Sequence, residues 1–341
     1  MSTVIKNISP LGFPWKTQDP FLFCAHHRDY YPAGNADLGV PEREKAGRNI
    51  GNDFTIKDGY RMYHGSNVPG FPYHPHRGFE TITINKEGFV DHSDSLGGAG
   101  RFGAGDVQWM TAGKGILHSE MFPLLQEDKE NTLEMFQVWL NLPRASKMVP
   151  PHFKMLWKEN IPTINYRDSQ DKITTVDLIA GEINQLRALD PTPDSWAAHE
   201  DNEVLVVTIK MEAGASYTLP KAKSSTTTRT LYYYRGTAIH IAGTAVYENH
   251  SIEVNAAVDL EITNSTSDSY ILVLQGKPIN EPVAQHGPFV MNTQQEIREA
   301  FADYQETQFG GWPWPQQEQV HDRTKGRFAL HSDGREESFE E

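Results

Sequence analysis

The chain has 341 residues, 38% hydrophobic side chains and a formal net charge of −14. That length holds one large or two medium domains, and the hydrophobic fraction excludes wholesale disorder. The acidic balance excludes an extended basic surface for direct nucleic-acid binding.

The first twenty residues contain Pro10, Pro14 and Pro20, which rule out a long helix and leave an arm or first strand. No charged segment followed by an apolar stretch opens the chain, so no signal peptide is expected. No apolar run reaches the roughly 18 residues of a membrane span. A cytoplasmic protein is the expectation. Cys24, the one cysteine, sits in the apolar run Phe21-Leu22-Phe23-Cys24 and reads as a buried structural thiol. It excludes an intramolecular disulfide and a thiolate zinc site. Residues 32–70, rich in Gly, Asn and Asp, read as a long surface insertion and a candidate lid.

From residue 74 the pattern is strand-like. Thr81-Ile82-Thr83-Ile84 alternates, Val107 and Trp109 alternate with Gln108 and Met110, and Phe136 to Leu142 ends at Pro143. Gly-rich turns separate these runs, with Ala112-Gly113-Lys114-Gly115 the tightest. The spacing predicts an all-β antiparallel barrel or jelly roll over residues 1–143. Residues 144–158, with Pro150-Pro151, read as a linker. Strand-like runs at 173–179, 204–209, 238–241 and 270–274 predict a second β-domain over 159–323. Thr293-Gln294-Gln295-Glu296 fits a capping box, and Ile297, Phe301 and Tyr304 form one apolar stripe, so a short C-terminal helix is expected there. The polar tail 324–341 is expected to fray.

Two stretches carry the chemistry. Tyr73-His74-Pro75-His76-Arg77-Gly78-Phe79-Glu80 offers His74 and His76 at spacing i, i+2. Gly105 to Glu120 ends in His118-Ser119-Glu120, a second pair at the same spacing. In strands each pair points to one face. Two neighbouring strands would then gather four metal ligands around one point. Outward-facing polar residues on surface strands would give the same spacing. Pro75 lacks an N–H and favours a sheet edge. Three imidazoles and one carboxylate suit non-haem iron, and equally manganese, nickel or copper, with zinc not excluded. Asp91-His92-Ser93-Asp94 reads either as a turn or as a polar group near the metal. His26-His27 reads as a surface or packed pair, and the tryptophans, including Trp109, Trp139, Trp312 and Trp314, as packing residues. His199, His240, His250 and His286 are isolated, so no metal is expected in the second domain.

The segments HPHRGFETIT, GDVQWMTAGKGILHSEM, FQVWLNLP and HGPFVMNTQQEI together resemble the pirin family of the cupin superfamily, from about Phe71 to about Gln305. The resemblance implies a bicupin: two jelly-roll barrels joined by a short linker. It further implies one iron in the N-terminal barrel, held by His74, His76, His118 and Glu120. Glu80 stands where many cupins place a ligand, yet the pirin pattern gives that role to Glu120 and leaves Glu80 structural or supporting.

For function the resemblance implies two readings. Some bacterial pirins act as quercetin 2,3-dioxygenases, opening a chelating flavonol with oxygen and releasing carbon monoxide. In that reading Glu120 is the expected catalytic group, taking the substrate proton. Animal pirins act as iron-dependent transcriptional co-regulators, which implies a protein partner and no turnover.

Overall fold

The structure is a computed structural model describing residues 4–339. It divides into two compact units. The first comprises the described part of Met1–Ala25, Trp139–Pro143 and Glu159–Asn280. The second comprises His26–Val138, Arg144–Lys158 and the described part of Glu281–Glu341.

The first unit is a jelly roll of two antiparallel sheets. One runs Ile5–Pro10, His250–Asn255, Thr228–Arg235, Ser269–Gly276, Leu205–Met211, Ile173–Ala180 and Thr163–Arg167. The other runs Ser216–Leu219, Leu260–Asn264, Ala238–Ile241 and Thr244–Tyr247. Alternation places the inward residues: Ile239 and Ile241 join Val207, Leu231 and Val273 in the core, while His240 between them is exposed. Burying one face of each sheet against the other is what holds the pair together.

The second unit repeats the plan. Its five-stranded sheet runs His152–Leu156, Val107–Thr111, Phe79–Glu87 and the parts of Asn131–Asn141 and Phe21–Tyr31 that fall in this unit. Its six-stranded sheet runs Glu336–Phe339, Arg327–Leu330, Ala99–Gly103, Phe89–Asp94, Ile116–Met121 and Gly70–His76. Val90, Phe102, Met110, Met135 and Phe153 fill the core between them. The all-β, two-barrel expectation therefore holds, with the short helix at Gln294–Thr307. Its capping box forms as read: the Thr293 hydroxyl accepts from the Glu296 N–H, and the Glu296 carboxylate accepts from the Thr293 N–H. The helix stops at Gln308, which lies in the left-handed region. No helix of the described residues is long and apolar enough to cross a membrane.

Four details differ from the sequence reading. The first strand, Ile5–Pro10, pairs with His250–Asn255 rather than with residues of 26–138. The stretch 144–158 is more than a linker, because His152–Leu156 pairs with Val107–Thr111. The tail does not fray over 327–339. Arg327–Leu330 pairs with Ala99–Gly103 on one side and Glu336–Phe339 on the other. Glu340 and Glu341, the rest of that tail, lie outside the described residues. Finally, the insertion 32–70 is exposed over much of 42–58 but is anchored in the core on either side. Val40, Tyr60, Met62 and Tyr63 are core residues. The Arg48 side chain is fully buried, bonded to Asp53 at 3.0 Å and stacked 3.6 Å over the Tyr60 ring.

The helix is tied directly to the first ligand-bearing stretch. Arg77, next to His76, donates to Asp303 at 2.8 Å and to the Lys114 carbonyl at 2.6 Å. Gly78, at φ +87°, has no room for a Cβ, which would strike the Val290 carbonyl oxygen. The sequence needs Gly there for both reasons.

Candidate metal centre

The strands Gly70–His76 and Ile116–Met121 pair antiparallel, with His74 opposite His118 and Phe71 opposite Glu120. A register shift between Phe71 and His74 bends the first strand at this point. That strand is the edge of its sheet, which is where Pro75 can sit without costing a ladder hydrogen bond. The glycine turn before His118 does not close a hairpin. Val107–Thr111 lies in the five-stranded sheet and Ile116–Met121 in the six-stranded one. The turn switches sheets, and Gly113 (φ +49°) and Gly115 (φ +133°) permit it.

Three imidazoles meet there. The ligand nitrogens of His74, His76 and His118 all lie within 4.8 Å of one another. His74 Nε2 is 3.1 Å from His76 Nε2. His74 Nδ1 is 2.9 Å from the Pro72 carbonyl, so Nδ1 carries the proton and Nε2 turns its lone pair toward the cluster. His118 is fully buried, and neither ring nitrogen has a hydrogen-bond partner. Leaving such groups unmatched costs about 1–3 kcal/mol. Burial drives His74 down to about 4, and His76 and His118 well below the ordinary histidine range. All three rings are therefore neutral near pH 7, the state in which imidazole binds a metal. The unmatched nitrogens, the neutral rings and their convergence fit one metal ion.

Glu120 is 1% exposed and its carboxylate lies 3.9 Å from His118 Nε2. With His118 neutral, this is a carboxylate beside an imidazole rather than an ion pair. Oε1 accepts from the Thr83 hydroxyl at 3.0 Å, and Oε2 from the Gln137 amide at 2.6 Å. Burial raises its pKa, opposed by the Thr83 hydrogen bond, the nearby His92 and the Gln137 hydrogen bond. It stands beside the three-histidine group rather than within it. Glu80, on Phe79–Glu87, accepts from the Thr111 hydroxyl at 2.7 Å and is not in that group.

The sequence reading did not single out Thr83 or Gln137. The signal was there: both are polar positions on strands whose apolar neighbours are buried. His92, opposite Glu120 in the ladder, is fully buried, 3.1 Å from Asp94 and 5.7 Å ring to ring from His118. The Asp91–Asp94 stretch is thus a strand beside the site and not a turn. His27, also buried, bonds Tyr63 at 2.7 Å. Trp109 is core, and Trp314 donates to the Asp94 carbonyl at 2.8 Å.

These depressed histidines set a pH dependence. Below about pH 6.5 the unfolded chain takes up protons that folded His27 (about 3), His74 (about 4), His76, His118 and His321 refuse. The unfolded state then binds more protons, so stability falls as pH falls, by at most about 1.4 kcal/mol per pH unit for each. Glu120, held above its ordinary value, runs the other way, one group against five. Urea unfolding of the metal-free protein is expected to give lower stability at pH 5 than at pH 7. Equal values would contradict these neutral, buried rings.

Two jelly rolls, the second unit bearing a largely buried three-histidine cluster on adjacent strands, define a bicupin with a candidate metal site. Comparison with known proteins sharpens this. Residues 39–140 match the family described as Pirin, and residues 206–310 match the Pirin C-terminal cupin domain. The chain belongs to the pirin family. A Pseudomonas aeruginosa protein provisionally named quercetin 2,3-dioxygenase is 36% identical over 246 residues, 70% of this chain and 79% of its own. Human pirin is 34% identical over 254 residues, 73% of this chain and 80% of its own. A solved quercetin 2,3-dioxygenase from Acinetobacter baumannii aligns with TM-score 0.70 and 28% identity, over 90% of this chain and 98% of its own.

Proposed function

We propose that this chain is an iron-dependent oxygenase of the quercetin 2,3-dioxygenase type, acting on a chelating flavonol or related enol. The observation that carries the reading is the convergence of three neutral imidazoles, two of them buried and one half-buried, beside a buried carboxylate. The names of the Pseudomonas and Acinetobacter relatives support the reaction class.

His74, His76, His118 and Glu120 would hold the ion. When bound, it supplies Lewis acidity toward the substrate's enolate oxygen and a redox-active centre for dioxygen chemistry. The chain's own residues do the rest. His74, the least buried of the three, marks the side from which a substrate approaches. The Pro72 carbonyl holds its ring in the tautomer that leaves Nε2 free. Glu120 takes the proton of the substrate hydroxyl at a carboxylate oxygen. Thr83 and Gln137 keep the carboxylate aimed during the step. Buried walls exclude water from the reacting oxygen.

The test is oxygen uptake and carbon monoxide release by the iron-loaded protein over a panel of flavonols. Uptake matching flavonol consumption, absent in His118→Ala, is the expected result. A protein that keeps its iron yet turns over no flavonol would contradict the reading. It would favour the regulatory one, in which a protein partner binds the iron-loaded form.

A further inference from the structure

The first unit, where no metal is expected, has a cavity of about 210 Å³. Ile183, Leu205, Leu219 and Ala222 give it an apolar wall, and exposed Arg187 and Lys223 stand among its lining. Arg229 also forms part of the wall and is only 1% exposed. It projects from Thr228–Arg235 opposite Gln275 of Ser269–Gly276. Its Nε donates to Gln275 Oε1 at 2.7 Å and its Nη2 to the Pro220 carbonyl at 2.6 Å. Both acceptors are neutral. Nη1 is buried with no hydrogen-bond partner.

No carboxylate of the described residues lies within 4.0 Å of this guanidinium. Asp259 and Glu203 act on it only from beyond contact, and their oxygens take other hydrogen bonds, Asp259 from the Lys221 N–H at 2.8 Å. Glu203 accepts from the Ser224 N–H at 2.9 Å and the Thr227 hydroxyl at 2.5 Å, and Glu200 pairs with Arg187 at 2.7 Å. Burial lowers the Arg229 pKa to about 10, which still leaves it cationic near neutrality. A buried charge without a counter-charge is strongly disfavoured, and proteins keep one where a ligand supplies the opposite sign. Structure elsewhere in the chain follows that rule: buried Arg61 and Arg101 each meet an aspartate, at 2.9 and 2.7 Å.

We propose that this cavity binds a small organic monocarboxylate, its carboxylate on Arg229 Nη1 and its apolar body against Leu205, Leu219 and Ala222. One buried cation with no carboxylate in contact, and one free nitrogen, call for one negative charge. Glu182, Glu200 and Glu203 in the same lining oppose a multiply charged phosphate. The apolar wall rewards a phenyl or short alkyl body and gives nothing to a bare anion.

Calorimetric titration of the full-length protein with benzoate and hexanoate tests this, with benzamide, hexanamide and inorganic phosphate as comparisons. At least one carboxylate is expected to bind, its amide to bind at least about tenfold more weakly, and phosphate not to compete. Arg229→Met is expected to weaken carboxylate binding by at least about tenfold. Because a core arginine variant can fail to fold, Ala222→Leu provides a second reading: it keeps the charge, fills the cavity and is expected to abolish binding. No binding of either carboxylate at about 10 mM would overturn the proposal, since millimolar affinity is the least a built site provides. So would equal binding of the amides, tighter binding of phosphate, or undiminished affinity in the folded variants.

Discussion

Replacing Glu120 with alanine is expected to lower metal affinity by more than about 100-fold, whereas Glu80→Ala is expected to leave it within about tenfold. The reasoning is geometric. Glu120 projects from the same strand as His118, two residues on, with an oxygen 3.9 Å from His118 Nε2. Glu80 spends an oxygen on Thr111 and lies outside the three-histidine group. Loss of a supporting hydrogen bond to a metal ligand typically costs about 10–100-fold, which is the range expected for Thr83→Ala and Gln137→Ala. Loss of a ligand exceeds that range. Metal analysis after dialysis against a graded chelator series measures all four variants together. Metal retained by Glu120→Ala and lost by Glu80→Ala would reverse the assignment.

The largest expected loss of stability lies nearby, in the buried pair Asp91–Arg101. Asp91 and Arg101 are 0% and 1% exposed. Arg101 Nε meets Oδ1 at 2.7 Å and Nη2 meets Oδ2 at 2.8 Å, a two-pronged pair. The same guanidinium donates to the carbonyls of His321, Asp322 and Lys325. Asp91 Oδ2 accepts from the His321 N–H at 2.8 Å. Asp91→Ala would leave a buried cation with only carbonyl partners, and the expected cost is about 3–5 kcal/mol in urea unfolding. It should also loosen 321–325, so proteolysis there should speed up. Removing both partners, as Asp91→Ala with Arg101→Met, is expected to cost less than the sum of the two single changes, because no lone charge remains. A single-variant cost below about 1 kcal/mol would contradict this account of how the C-terminal segment is held.

The candidate site was more legible in the sequence than the fold around it. A strand's period of two makes His74 with His76, and His118 with Glu120, visible as pairs from spacing alone. Local patterning also exposed the helix cap and stripe, because both are contacts within a few residues. The missed features were long-range. That Arg327–Leu330 extends the sheet of Phe89–Asp94 depends on pairing with Ala99–Gly103, more than two hundred residues earlier. The short charged tail carries no pattern that announces it. The same holds for Ile5–Pro10, whose partner is His250–Asn255. The insertion was legible only in part: its Gly, Asn and Asp content signals the irregular, largely exposed backbone of 42–58 but not the core anchors on either side. Tyr60, Met62 and Tyr63 anchor it, and Asp29 receives both Arg61 and the Tyr63 hydroxyl. Arg229 gave no sequence signal, since an arginine in a strand ordinarily faces water.

Anomalous diffraction from crystals of the metal-loaded protein tests the central claim most directly. A single peak is expected in the second unit, roughly 2.0–2.2 Å from one nitrogen each of His74, His76 and His118 and from a carboxylate oxygen of Glu120. A peak elsewhere, or one at the three histidines with Glu120 still held by Thr83 and Gln137 beyond bonding reach, would contradict the four-ligand site.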